Sequence, residues 1–240
     1  MVANPKKFQF IVLGYIGKKL NLCVDNQLIL SSDTVKLLGI IIDKDLTFNQ
    51  HIDNLCIKAN NKVNALSRIA RTLNDTKKLK ILANSFFLSI FKYCPIIWMF
   101  CSKKRAKKIY KLHKRLLKRV HYKKYMTFAE LLSIDASYCM HTINVQVLMT
   151  EICKTINNLN PSFMSTIFKE KKKFHQLRNN NLLIIPKALS TKFGYRSISF
   201  RDAILWNKLP ESIKNAENVH TLKKLIQQWD ASTCNCHICK

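Results

Sequence analysis

Residues 35–73, VKLLGIIIDKDLTFNQHIDNLCIKANNKVNALSRIARTL, change their hydrophobic period part-way along. Val35 to Ile42 is a near-continuous apolar run closed by Asp43, the pattern of a buried strand. From Thr47 the apolar residues recur every three or four positions: Ile52, Leu55, Cys56, Ala59, Val63, Leu66, Ile69, Ala70 and Leu73. That spacing predicts one face of an amphipathic helix. Upstream, Phe8–Leu13, Leu20–Val24 and Leu28–Leu30 read as further strands, the last two flanking a polar turn at Asp25-Asn26-Gln27.

Downstream the helical period persists. Asp75-Thr76 is a candidate N-cap for a helix that runs into Ile81–Phe100, ILANSFFLSIFKYCPIIWMF. That stretch is about as long as a membrane span. Asn84, Lys92, Pro95 and basic flanks favour a buried helix kinked at Pro95 instead. Further helices are predicted over about 103–122, 128–134, 139–159, 197–209 and 219–229. Asn160-Pro161 ends the third of these, Lys169–Asn181 reads as a loop, and Leu182–Ile185 as a short strand. The fold class is α+β, mainly α, with a small antiparallel β segment at the N-terminus. The divisions are 1–46, 47–168 and 169–240. Four Gly and five Pro in 240 residues fit long helices better than a turn-rich all-β fold.

The chain has 41 Lys and Arg against 14 Asp and Glu, a net charge of +27, yet 48% of its residues are hydrophobic. Disordered basic tails lack such an apolar content, so this is a foldable chain with a strongly positive surface. Between Asp75 and Glu130 there is no acid at all. Lys103, Lys104, Lys107, Lys108, Lys111, Lys114, Arg115, Lys118 and Arg119 crowd one predicted helix, opposite Ala106, Ile109, Tyr110, His113, Leu116, Leu117 and Val120. Solvated helix faces usually mix signs, and a face without acids is relieved by phosphate. RNA, DNA or an RNA–DNA duplex, held through phosphate contacts, is therefore the expected partner. No membrane and no specific protein partner are expected.

Candidate chemistry is sparse. Asp43 and Asp45 alternate at a strand end and would face one metal ion, as a magnesium-dependent nuclease or phosphotransferase requires. Lys44 lies between them and no third acid is near, so an acidic turn is the preferred reading. A basic structural or membrane-associated protein is the remaining alternative. Phosphate loops of Walker type, GxSxG elbows and HExxH motifs are lacking. His113 reads as packed, and His51 as packed or capping. The first six of nine cysteines are scattered through apolar patterns, as reduced and buried thiols of an intracellular protein are, nuclear or cytoplasmic. Cys234, Cys236 and Cys239 lie close together at the C-terminus with His237. Cys236 and Cys239 have a common zinc-ligand spacing, but four ligands within six residues crowd a tetrahedron. Free thiols are preferred there, with Zn2+ as the second reading.

Several segments together resemble the reverse transcriptases of LINE-type (non-LTR, jockey-like) retrotransposons. Asn4-Pro5-Lys6-Lys7-Phe8-Gln9 is similar to that family's NPxKFQ element. Val35–Ile40, continuing through Asp43, Leu46, Phe48, His51 and Ile52, resembles its LGIxxDxxLxFxxHI motif. Tyr93-Cys94-Pro95 with Trp98 is similar to YCPxxW, and Trp206-Asn207-Lys208-Leu209-Pro210 to WNxLP. Trp229 and the terminal CxCxxC resemble the family's ending. The resemblance covers nearly the whole chain.

It implies the last strands of a polymerase palm (1–46), a helical thumb-like domain (47–168) and a C-terminal extension (169–240). Lys7 matches the palm lysine, and Leu37, Leu38 and Gly39 match the primer grip. The family's catalytic aspartates, including the Y/F-x-D-D pair that binds Mg2+ in the complete polymerase, have no counterpart here and would lie upstream. The expectation is thus a polymerase fragment that is not an enzyme on its own, retains template–primer backbone binding, and needs no cofactor of its own.

Overall fold

A computed structural model describes residues 7–14, 20–24, 27–171, 182–190, 194–195, 197–216, 218–231, 234 and 236. Two hairpins precede the helices. β1 (Asn21–Val24) pairs antiparallel with β2 (Gln27–Leu30), and β3 (Thr34–Leu37) with β4 (Ile40–Asp43). The apolar run Val35–Ile42 is therefore not one strand. Leu38 and Gly39 both take positive φ, 46° and 85°, and close a two-residue hairpin turn in which Leu37 pairs with Ile40. That turn geometry follows the right-handed twist of the strands, and glycine adopts it without strain. Phe8–Leu13 forms no strand. It is tied across instead, the Ser32 amide donating to the Phe10 carbonyl at 2.8 Å and the Lys36 amide to Gln9 Oε1 at 2.7 Å.

α1 (Asn49–Leu73) buries Ile52, Leu55, Cys56, Ala59, Val63, Leu66 and Ala70, as its period predicts, whereas Ile69, expected on the same stripe, is 40% exposed. α2 (Thr76–Ala83) is capped by Asp75, whose side chain accepts from the Lys78 amide. It continues through a π-helical turn (Asn84–Leu88) into α3 (Ser89–Lys92). Here the chain breaks rather than kinks. Tyr93 is extended, Cys94 has φ 44°, and Pro95 opens a new short helix, α4 (Pro95–Trp98), where its missing N–H costs nothing. Phe87, Phe91 and Trp98 face the core, while Ile81 and Phe86 face outward, so the stretch is amphipathic, not buried all round. Among the described residues no helix is long and apolar enough to cross a membrane.

α5 (Lys103–Val120) lies against α1 and completes the first core with α2 and α3. α6 (Phe128–Asp135) starts with a capping box between Thr127 and Glu130. Buried Asp135 accepts from His121 Nε2 at 2.7 Å and bonds Lys80 through both its carboxylate and its carbonyl, joining α2, α5 and α6. α7 (Met140–Ile156) lends Met140 to this first core and Val145, Leu148, Met149, Ile152 and Cys153 to a second.

α8 (Met164–Ile167), α9 (Ile198–Asn207), α10 (Glu211–Lys214) and α11 (Val219–Gln228) follow. The second core gathers Phe168, Leu183, Trp206, Leu209, Leu222, Ile226 and Trp229 around α7, so apolar packing runs across residues 168–169. Leu183 forms an isolated bridge with Glu170 rather than a strand. Most of the expected 169–181 loop lies outside the described residues. The motif residues serve as anchors. Asn207 brackets Leu183, accepting from its amide at 2.8 Å and donating to its carbonyl at 2.9 Å. Trp206 is 1% exposed, and Gln146 Nε2 donates to the Trp229 carbonyl at 2.8 Å.

One buried group works against this core. Asp202 is fully buried on α9, and neither carboxylate oxygen has a hydrogen-bond partner among the described residues. Burial lifts its pKa well above the usual carboxylate range, and only Arg201 opposes that. The folded state therefore binds this proton more tightly than the unfolded one. Stability falls as pH rises from the ordinary carboxylate pKa toward the raised one. Asp202→Asn should raise unfolding free energy by about 1–3 kcal/mol at pH 8 and by less near pH 4, measured by urea denaturation.

Candidate nucleic-acid interface

At about 100° per residue, the nine basic residues of α5 identified from sequence span an arc of roughly 160°. Ala106, Ile109, His113, Leu116, Leu117 and Val120 fill the buried side. Some of the basic side chains of α5 are used internally. Arg105 donates to Asp53 at 2.8 Å and to the Asn49 carbonyl at 3.1 Å, and Lys108 reaches the other Asp53 oxygen at 2.7 Å. Arg115 donates to Asn60 Oδ1 at 2.8 Å and Asn64 Oδ1 at 3.0 Å. Lys118 bonds the Lys124 carbonyl at 2.6 Å.

Lys103, Lys104, Lys107, Lys111 and Arg119 point outward, exposed, and form no ion pair among the described residues. Lys114 is half-buried beside Glu130, whose low pKa comes chiefly from the Thr127 amide and only in small part from Lys114. α1 adds Lys58, Lys62, Arg68 and Arg71, with Asp53 its single acid. Between the two helices runs a groove of about 420 Å³ lined by Cys56, Ile57 and Leu112, with Asp53, Asn60, Lys108 and Lys111 as its polar residues. Asp53 offsets Lys108 there, and Lys111 stands beside the apolar lining, a setting that suits a phosphate with a sugar or base edge next to it.

The family-like hairpin at the N-terminus meets this body at the Tyr93-Cys94-Pro95 break and along the start of α1. Tyr93 Oη donates to the Leu38 carbonyl at 2.6 Å, tying the hairpin turn of Leu37, Leu38 and Gly39 to the Tyr93-Cys94-Pro95 break. Trp98 Nε1 in turn donates to the Tyr93 carbonyl at 3.2 Å. Leu38 is 81% exposed. Lys7 is exposed at the start of the described chain.

Asp43 caps its turn: one oxygen accepts from the amides of Asp45 and Thr47 at 3.2 and 3.0 Å, and both contact Thr47 Oγ1 at 3.1 Å. That is the acidic-turn geometry, and no third carboxylate joins it among the described residues. His51 Nδ1 accepts from the Ile41 amide at 3.4 Å, and burial, then Lys58, lowers its pKa. His113 packs between Phe87 and Phe128, and burial depresses its pKa to about 4.

None of the eight described cysteines is in a disulfide. Cys56 and Cys101 are buried, and burial pushes their pKa values up to about 11 and about 12, so they are inert. Cys153 is also buried, whereas Cys23 and Cys94 are exposed, contrary to the expectation that the scattered thiols are core residues. Cys23 sits on a hairpin strand exposed along most of its length, and Cys94 at the helix break.

Cys234 and Cys236 converge on His141, which the sequence reading missed. Nε2 lies 3.5 Å from Cys234 Sγ and 3.3 Å from Cys236 Sγ. Cys239 lies outside the described residues. Burial disfavours charge on His141, but the two sulfurs outweigh it and raise its pKa to about 9. A partial signal existed in the sequence, since His141 shares the helical stripe of Val145, Leu148 and Ile152, where a polar residue is out of place. The chain matches no protein-family model, no curated protein and no solved structure.

Asp53 is the hinge of the electrostatics. Lys108 and then Arg105 hold its pKa below the usual range by hydrogen bonding, against burial. Its stabilising effect is therefore present above the unfolded carboxylate pKa and lost as pH falls through the lowered one. Asp53→Asn should destabilise the full chain by about 0.5–1 kcal/mol at pH 7, and by nothing near pH 2, in denaturant titrations at matched salt.

Proposed function

We propose that this chain is the thumb-side part of a non-LTR retrotransposon reverse transcriptase and that it binds template–primer backbone without catalysing synthesis. The observation that carries the reading is the outward arc of α5. Five cations there have no acidic partner among the described residues, beside a second helix with a single acid. The order of the family-like motifs supports it. So does the bond from Tyr93 to Leu38, which sets a primer-grip-like turn against the helical body.

The N-terminal hairpins fit the same account. Leu22, Leu28, Leu30 and Leu37 are 46–64% exposed on short strands, as strands of a larger palm sheet would be without their neighbours. Magnesium and nucleotidyl transfer would belong to the complete polymerase, at aspartates this sequence lacks. Binding through phosphates carries little sequence preference.

Filter binding of the full chain to an RNA–DNA hybrid tests the reading. About four neutralised phosphates give a loss of roughly 100-fold in affinity between about 50 and 200 mM salt, from a micromolar starting point. Replacing Lys104, Lys107, Lys111 and Arg119 together by Gln should flatten that dependence. Salt-indifferent affinity, or a variant that binds like the parent, overturns the proposal.

A further inference from the structure

The His141–Cys234–Cys236 cluster is built, not incidental. His141 lies in the first turn of α7 and is 5% exposed. Phe100 packs edge-on against its ring at 6.3 Å, and the Arg201 guanidinium covers Phe100 at 5.1 Å. The C-terminal segment is steered to it by three backbone devices. Tyr138 Oη donates to the Gln228 carbonyl at 2.9 Å, Gln146 holds the Trp229 carbonyl, and Ala231, at φ 58°, opens a turn closed by the Cys234 amide at 2.9 Å. Cys234 ends 6% exposed.

The geometry points to a structural zinc site in which His141 Nε2, Cys234 Sγ and Cys236 Sγ are three of the ligands. With Zn–S near 2.3 Å and Zn–N near 2.05 Å, a tetrahedron separates N and S by about 3.6 Å. The two observed separations, 3.5 and 3.3 Å, lie close to that, and all three ligand atoms fall within 4.8 Å of one another. Two soft sulfurs and an imidazole select Zn2+ over Mg2+ or Ca2+. Recruiting His141 from 93 and 95 residues away removes the crowding that four ligands within six residues would impose. On binding, each thiol gives up its proton to solvent as its sulfur becomes a thiolate ligand, and the imidazole binds neutral through Nε2 with its proton on Nδ1. The site would fasten the end of the chain to the helix that joins both cores. It is independent of the nucleic-acid reading, because none of the exposed α5 cations takes part.

The test is metal content of the full chain purified under reducing conditions with zinc, then dialysed. The expected result is about one zinc per chain, with Co2+ substitution giving sulfur-to-metal charge transfer. His141→Gln and Cys234→Ser should lose the metal, and His141→Cys should retain it. Stoichiometric zinc in His141→Gln would overturn the assignment. Alkylation mapping of the unmutated chain covers the case of a variant that fails to fold. Zinc should protect Cys234 and Cys236, while Cys23 and Cys94 react whether or not it is present. Equal reaction of Cys234 and Cys236 with and without zinc also overturns it.

Discussion

The seam between α1 and α5 is what the rest of the structure depends on. α5 carries ten Lys and Arg and no acid, so its own charges oppose its folding. About ten like-charged pairs three or four residues apart cost on the order of 2–5 kcal/mol. Burying Ile109, Leu116, Leu117 and Val120 returns about 6 kcal/mol or more, so the apolar stripe wins. Asp53 sets the orientation by taking Arg105 and Lys108 together, and Arg115 is held by two asparagines of α1. What remains outward is charge that forms no ion pair among the described residues.

The helical part of the fold was legible because its signals are local. The stripe of α1, the Asp75 cap and the limits of α5 all follow from spacing and from one capping residue. Two of the misreadings, at Leu38 and at Cys94, share one cause. A backbone of unusual dihedrals looks apolar and regular in sequence. Leu38 and Cys94 both adopt positive φ without being glycine, turning one expected strand into a hairpin and one expected kinked helix into two. Tertiary contacts enforce this, notably the Tyr93 hydroxyl on the Leu38 carbonyl, and they join residues 55 apart.

The candidate site was legible in charge and illegible in coordination. The basic arc of α5 follows from the helical period alone. Which cations are spent inside the fold does not, since their partners Asp53, Asn60 and Asn64 lie on another helix. The terminal cysteines advertise a metal pattern too crowded to close by itself, and the helix holding His141 has nothing local to link it to them. Asp43 shows the converse: a carboxylate spaced for catalysis that caps its own turn.

The most direct test of the central claim, that the outward charge of α5 is reserved for a polyanion, is thermal unfolding of the full chain with an RNA–DNA hybrid at low ionic strength. Hybrid at about 100 times Kd adds about 2.7 kcal/mol to the folded state. For a chain of this size that corresponds to a rise in Tm of about 5–10 °C, which should vanish near 1 M salt. A Tm unmoved by the hybrid at low salt, or moved equally at high salt, would contradict the account.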